Sequence, residues 1–294
     1  MVSINRFWDN IDAILVINLQ ERSDRWAKIF NTLELFGVGH KVIRIDAVHG
    51  KEINGHGLNP WFRKNTPKIV STMKAGAAGC CLSHRKAIEL ASDKGFKSIL
   101  VLEDDALFND VFEELADSFL GDFVANRESF DMLYLGFSQK KCIYSVHCKT
   151  SQKNNEYEIW KIRGPLMTHA MVIQSNIFSS LLNGLPTEKN IWSWIAYWGS
   201  IDSWIQNYFG RQKEIRIFGV RPNLIIQNVD YSDICDRILS KEEVEGTHRS
   251  TNYISKTAEQ FEKNKGRSCL LVAQQFFKRS GRLLRAYLFG FSKT

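Results

Sequence analysis

Proline is scarce in this chain, five among 294 residues, and no Pro-, Gly- or Ser-rich stretch divides it. That excludes a string of small modules on flexible linkers and leaves one sizeable domain with an appendage. No apolar run reaches the ~20 residues that a membrane-spanning helix requires. The six cysteines include the adjacent pair Cys80-Cys81 and do not suggest a disulfide framework, so a reducing compartment is expected. No two histidines stand at the spacing of a zinc site. Glycine is missing from Asn18–Trp26, which follows the first apolar run, and a Gly-rich triphosphate loop is therefore absent there. Acids are missing from residues 263–294, which hold eight Lys/Arg, whereas residues 1–262 hold 31 Lys/Arg against 32 Asp/Glu. The whole net charge of +7 thus comes from the tail. The apolar run nearest the N-terminus reads as a strand rather than a signal peptide, and a cytoplasmic location is expected.

What is present starts with Ser98-Ile99-Leu100-Val101-Leu102-Glu103-Asp104-Asp105, an apolar run ending in three consecutive acids. Such a run is a buried strand of a parallel sheet, and open α/β sheets bind ligands at strand C-terminal ends. Three adjacent carboxylates repel one another unless a cation neutralises them. A hard divalent ion, Mn²⁺ or Mg²⁺, carrying a phosphorylated ligand suits that chemistry; a solvated acidic loop is the alternative. Upstream, Leu82, Ala87, Ile88, Leu90 and Ala91 form a helical apolar face with Gly95 as a C-terminal cap. Ser83 and His84 are expected in the first turns of that helix, where N–H groups favour anions. The preceding stretch, His49–Ala78, reads as a long loop that could cover a ligand. Ala13–Leu19 is a second buried strand, emptying into Arg22, Asp24 and Arg25. Those arginines could bind diphosphate or could pair with Glu21 and Asp24 on a helix face.

The ordered set Val16-Ile17-Asn18-Leu19, Arg22, Asp24-Arg25, Asp46-Ala47, Gly79-Cys80-x-Leu82-Ser83-His84 and Leu102-Glu103-Asp104-Asp105 resembles glycosyltransferase family 25. Leu133–Gly136, Thr168-His169-Ala170, Ile201-Asp202 and Pro222…Gln227…Ser232-Asp233-Ile234 continue it, so the resemblance covers roughly residues 11–235. That family includes lipooligosaccharide galactosyl- and glucosyltransferases of Gram-negative bacteria and the collagen galactosyltransferases. The resemblance implies an α/β fold of GT-A type, a Rossmann-like mixed sheet flanked by helices. It also implies a UDP-sugar donor, a divalent metal and inverting transfer of a hexose, galactose before glucose, to a lipooligosaccharide or related glycan.

Carried over residue by residue, Glu103-Asp104-Asp105 stands where the Asp-x-Asp motif of these enzymes lies. Asp105 is the first expected metal ligand, Glu103 ligates or holds the donor, and Asp104 points the other way along the strand. Asn18, Leu19, Arg22, Arg25, Asp46, Ser83 and His84 join Glu103 and Asp104 in the expected donor site. Gln227 stands near the place of a third ligand, which is commonly a histidine. Asp202 is the expected general base or acceptor clamp, or else the N-cap of the following helix; Asp230 and Asp233 are alternatives. His169 is either a hydrogen-bonded core residue or part of the site. Trp194 and Trp198 belong to an aromatic cluster, Trp192–Trp198, that could line an acceptor site by stacking on sugars or could be core.

Residues 1–240 therefore read as the catalytic domain, with a nucleotide-sugar half to about 110 and an acceptor half beyond. Residues 241–294 read as a helical, basic, amphipathic extension, with Phe276, Leu283, Leu284, Tyr287, Leu288 and Phe291 opposite Lys278, Arg282 and Arg285. Such a helix fits the inner face of the cytoplasmic membrane, or else docking on the domain or on a second subunit of an oligomer. Nucleic acid is not an expected partner, because no recognition motif accompanies the basic cluster. Two other functions compete: a non-catalytic glycan-binding relative, and a sugar nucleotidyltransferase, against which the missing Gly-rich loop speaks.

Overall fold

The computed structural model describes residues 6–62, 64–138, 143–152 and 155–228, with short pieces at 231–232, 237–238, 254–255, 280–281 and residue 284. The basic tail lies almost wholly outside the described residues, as do Asp230 and Asp233. The first strands are β1 (Ala13–Asn18), β2 (Val42–Asp46), β3 (Ser98–Glu103) and β4 (Ala106–Phe108). They are followed by β5 (Met132–Tyr134), β6 (Ile143–Gln152), β7 (Asn155–Arg163), β8 (Ala170–Gln174), β9 (Ile217–Arg221) and β10 (Ile225–Gln227). One mixed sheet runs in the order β6-β7-β9-β5-β8-β3-β1-β2, with Ile254–Ser255 pairing at the β6 edge. β2, β1 and β3 are mutually parallel, whereas β8 lies antiparallel between β3 and β5. This is the α/β mixed sheet flanked by helices that the sequence leads one to expect.

Helices cover both faces. α1 (Arg6–Asp9), α2 (Ser23–Leu35), α4 (Phe112–Leu115) and α5 (Gly121–Ala125) lie on one side. α3 (Lys68–Asp93), α6 (Phe178–Gly184), α7 (Ile191–Trp198) and α8 (Ile201–Asn207) lie on the other. Alternation along β3 sends Ile99 and Val101 into the core beneath α3, and Leu100 and Leu102 into the core beneath α2. The same parity carries on into the acids. Glu103 emerges towards α3 and Asp104 towards α2.

Helix α3 departs from expectation. It begins at Lys68, so the last third of the expected His49–Ala78 loop is helical, and Ser83 and His84 sit in mid-helix. The reason is close packing rather than turn chemistry. A Cβ on Gly79 would stand 2.4 Å from the Val48 carbonyl oxygen, and one on Gly50 only 1.8 Å from that of Ala75. The small residues that read as loop in the sequence are what let the 47–50 segment touch the helix backbone.

Candidate active site

The acid-tipped strand stops where the helix and a neighbouring ribbon meet. β4 pairs antiparallel with β10, placing Gln227 opposite Ala106, one residue beyond Asp105. Asn228 N–H donates to the Asp105 carbonyl at 2.7 Å, and Gln227 Nε2 lies 3.4 Å from Asp105 Oδ2. The three carboxylates have three different surroundings.

Glu103 is held from the α3 side. His84 Nε2 donates to its Oε1 at 3.1 Å, and Thr168 Oγ1 donates to the same oxygen at 2.8 Å. Burial works to raise the Glu103 carboxyl, but the His84 bond, the charges of His84 and His169, and Thr168 outweigh it and hold it below its ordinary range. Cys80, one turn before His84, completes a group of potential ligand atoms within 4.8 Å of one another. Burial first, then the acids Glu103 and Asp202, push the Cys80 thiol far up, so it stays protonated.

Asp104 is engaged on the α2 side. Arg25 Nη1 stands 3.0 Å from its Oδ1 and Asn18 Nδ2 donates to its Oδ2 at 2.6 Å. Burial nevertheless raises its carboxyl. Asn18 also donates to the Arg22 carbonyl at 3.0 Å and accepts from Arg44. Arg25, Asn18 and Asp104 therefore form a buried strut between β1, α2 and the end of β3.

Asp105 is the least satisfied. Its Oδ1 is buried and has no hydrogen-bond partner. Burial, then the charges of Glu103 and Asp104, push its carboxyl up to about 8. An unpartnered carboxylate oxygen between two other acids, with Gln227 alongside, is a donor set that fits a divalent cation.

Two cavities open from this point. The narrower, about 290 Å³, is lined by Asn18, Leu19, Arg25, the 47–51 loop, Ser83, His84 and all three acids. The wider, about 840 Å³, is lined by Trp61, Lys74, Thr168, Tyr197 and Asp202. Cys80, Glu103 and Gln227 belong to both walls. Met167, whose φ of 74° is unusual for a side-chain-bearing residue, precedes Thr168 at the wide cavity.

Several sequence-derived assignments move. Arg22 pairs with Asp24 at 3.1 Å and lines neither cavity. Asp46 is exposed, accepts from Gln20 at 3.0 Å and also stands outside them, because its position on edge strand β2 turns it to solvent. Ser83 touches the site indirectly: it accepts from Val48 N–H at 2.8 Å and donates to the Gly79 carbonyl at 2.7 Å, fixing the loop. Trp194 is a core residue, its Nε1 donating to the Gly184 carbonyl at 3.0 Å and its ring packed near Trp204. Trp198 stacks among Tyr197 and Tyr208 and is not in the cavity wall. The helical period instead brings Tyr197 to the wall, joined by Trp61, which the sequence did not single out. His169 is fully buried, and its Nε2 donates to the Ile225 carbonyl at 3.0 Å. Burial lowers its pKa, and it sits as a hydrogen-bonded core histidine. Asp202 faces the wide cavity, yet Ser200 is the helix N-cap and donates to the Asp202 carboxylate, which also accepts from Ser203 N–H at 2.7 Å.

An acid-tipped parallel strand at the shared wall of a two-part cleft is the layout of an α/β group-transfer enzyme. Residues 11–183 match the family model described as glycosyltransferase family 25 (LPS biosynthesis protein), and the chain belongs to that family. Among curated relatives, the rat probable inactive glycosyltransferase 25 family member 3 is 31% identical over 135 residues, covering 44% of this chain and 23% of its own length. Procollagen galactosyltransferase 1 of Danio rerio is 25% identical over 236 residues, covering 73% of this chain and 36% of the relative. The chain thus spans well under two thirds of the relatives it matches. A solved glycosyltransferase involved in glycosylation of the major capsid of PBCV-1 aligns with 77% of this chain and 90% of its own, at 11% identity. The TM-score of that alignment is 0.34.

Proposed function

We propose that this protein is an inverting, divalent-metal-dependent hexosyltransferase that moves galactose, or next glucose, from UDP to a lipooligosaccharide or related glycan. The observation that carries this reading is the shared wall. Glu103 and Gln227 border both a narrow cavity lined by all three acids and a wide, open one with Asp202 and two aromatic rings. Bond exchange between donor and acceptor belongs at such a junction.

In this reading Asp105, Glu103 and Gln227 would hold Mn²⁺ or Mg²⁺, which offsets the charge that builds on the departing diphosphate. Asn18 and Arg25 brace Asp104 so that the strand end keeps its position, and His84 with Thr168 fixes the Glu103 carboxylate. Asp202 accepts the proton of the acceptor hydroxyl as that oxygen bonds to the anomeric carbon. The bond between that carbon and UDP breaks with its electron pair leaving on UDP, and Asp202 then returns its proton to solvent. Trp61 and Tyr197 offer ring faces to the acceptor sugar. Among the described residues no helix is long and apolar enough to cross a membrane; the reading takes the enzyme as peripheral on the cytoplasmic face.

The names of some relatives favour a second reading, a binding protein that has kept the fold without turnover. One assay separates the two: UDP released from UDP-galactose or UDP-glucose, with Mn²⁺ or with EDTA, in the presence of glycan acceptors. The transferase reading expects metal-dependent release with one of them. Tight donor binding with no release under any acceptor would favour the binding protein.

A further inference from the structure

Helix α3 is only partly covered. Its first turns leave Ile69, Val70 and Met73 exposed, and Leu58, in the loop before it, is 62% exposed. Four of the eight large apolar side chains that stand exposed among the described residues therefore fall in this one stretch, too many for random scatter. They form one surface, because the loop is tied to the helix. Lys74 of α3 donates to the Trp61 carbonyl at 2.8 Å and sits over the Phe62 ring, and Phe62 N–H in turn bonds the Leu58 carbonyl. Val70, Met73, Pro60 and Trp61 also line the wide cavity, so the patch is its rim.

The segment that forms this face carries charge of one sign. Between Glu52 and Glu89 the sequence holds Arg63, Lys64, Lys68, Lys74, Arg85 and Lys86 and no acid. Lys64 and Lys68 are exposed beside the apolar side chains. Lys68 opens α3, whose first turn has no acid, against the preference of a helix start for negative charge. Three occupants can be weighed on charge. The chain's own residues 263–294 are basic throughout, so laying them here sets like charge on like. A second copy docked face to face does the same. An anionic lipid surface takes both the apolar side chains and the lysines, and it takes the basic tail as well.

We propose that this rim is a lipid-contact face of the catalytic domain itself, seating the mouth of the wide cavity on an anionic bilayer. Leu58, Ile69, Val70 and Met73 enter the headgroup boundary while Lys64 and Lys68 meet lipid phosphates. A glycolipid in that bilayer then presents its sugar to Asp202 without leaving the membrane. That last consequence rests on the transferase reading; the lipid contact does not.

The test is vesicle flotation of the full chain with phosphatidylcholine alone and with phosphatidylglycerol added, for the parent, Leu58→Glu/Ile69→Glu and Lys64→Glu/Lys68→Glu. None of these four residues lines either cavity, and unchanged melting temperatures establish that the variants fold. Partition onto phosphatidylglycerol vesicles is expected to fall about tenfold or more in each double variant. Donor binding is expected to stay at the parent's level. Partition equal to the parent's in both variants, or a parent that binds neither vesicle, would overturn the proposal. A parent that binds vesicles through this rim but binds no UDP-sugar would leave the lipid face standing and sink the transferase reading alone.

Discussion

Asp105 is where the chemistry of single side chains is most exposed to test. Its carboxyl is raised by burial and by two neighbouring acids. A carboxyl with a folded-state pKa above its unfolded one holds its proton more tightly when folded. Metal-free stability therefore falls as pH rises from about 4 towards 8. Asp105→Asn removes the charge and keeps the shape. It is expected to raise the metal-free melting temperature at pH 7, with the gain vanishing below pH 4. A gain that is the same at both pH values would contradict the account. Asp104 and Arg25 give the opposite case, a buried pair with side chains 11% and 10% exposed. Arg25→Met should cost about 3–5 kcal/mol in urea unfolding, because it strands a buried carboxylate. The parting of Glu103 from Asp104 was legible in the sequence, since a strand's period of two needs no coordinates. That Arg25 rather than Arg22 meets Asp104 was not, because the choice depends on how α2 leaves β1.

Among the elements, β1 and β3 could be read directly: a strand in mid-sheet that is buried on both faces has to be an apolar run. Helix α3 could not be read to its full length. Gly76 and Gly79 count against a helix by propensity, but Gly79 is small because the Val48 carbonyl presses against it, as Ala75 is pressed by Gly50. Gly79→Leu should accordingly destabilise the protein by about 1–3 kcal/mol through overpacking, read by thermal or urea unfolding. It should also weaken donor binding by pushing the 47–51 loop out of the narrow cavity wall. Retained stability and affinity would mean that the loop gives way freely. The Trp192–Trp198 segment misled for a related reason. Composition marks it as aromatic, but only the helical phase, set by packing against α3 and α8, decides that Trp194 is core and Tyr197 faces the cavity.

At the scale of the whole molecule, the sheet carries Asn18 at the end of β1 and Glu103 at the end of β3 to one edge. The α7–α8 layer brings Asp202 to the wide cavity that Glu103 also lines. This long-range meeting is hidden in a linear chain; only the family resemblance anticipated it. If Asp202 is the proton acceptor, Asp202→Asn should lower kcat about 10²–10⁴-fold and leave UDP-sugar affinity unchanged, in steady-state and binding assays. Equal losses in both would make it a binding residue or a helix prop instead. The central claim is that the acid-tipped strand holds a metal-bound nucleotide sugar. Calorimetric titration with UDP, UDP-galactose and UDP-glucose, each with Mn²⁺ and with EDTA, tests it most directly. The account predicts binding that needs Mn²⁺ and is lost in Asp105→Ala. Binding indifferent to metal and to that substitution, or no binding of any of the three, would contradict it.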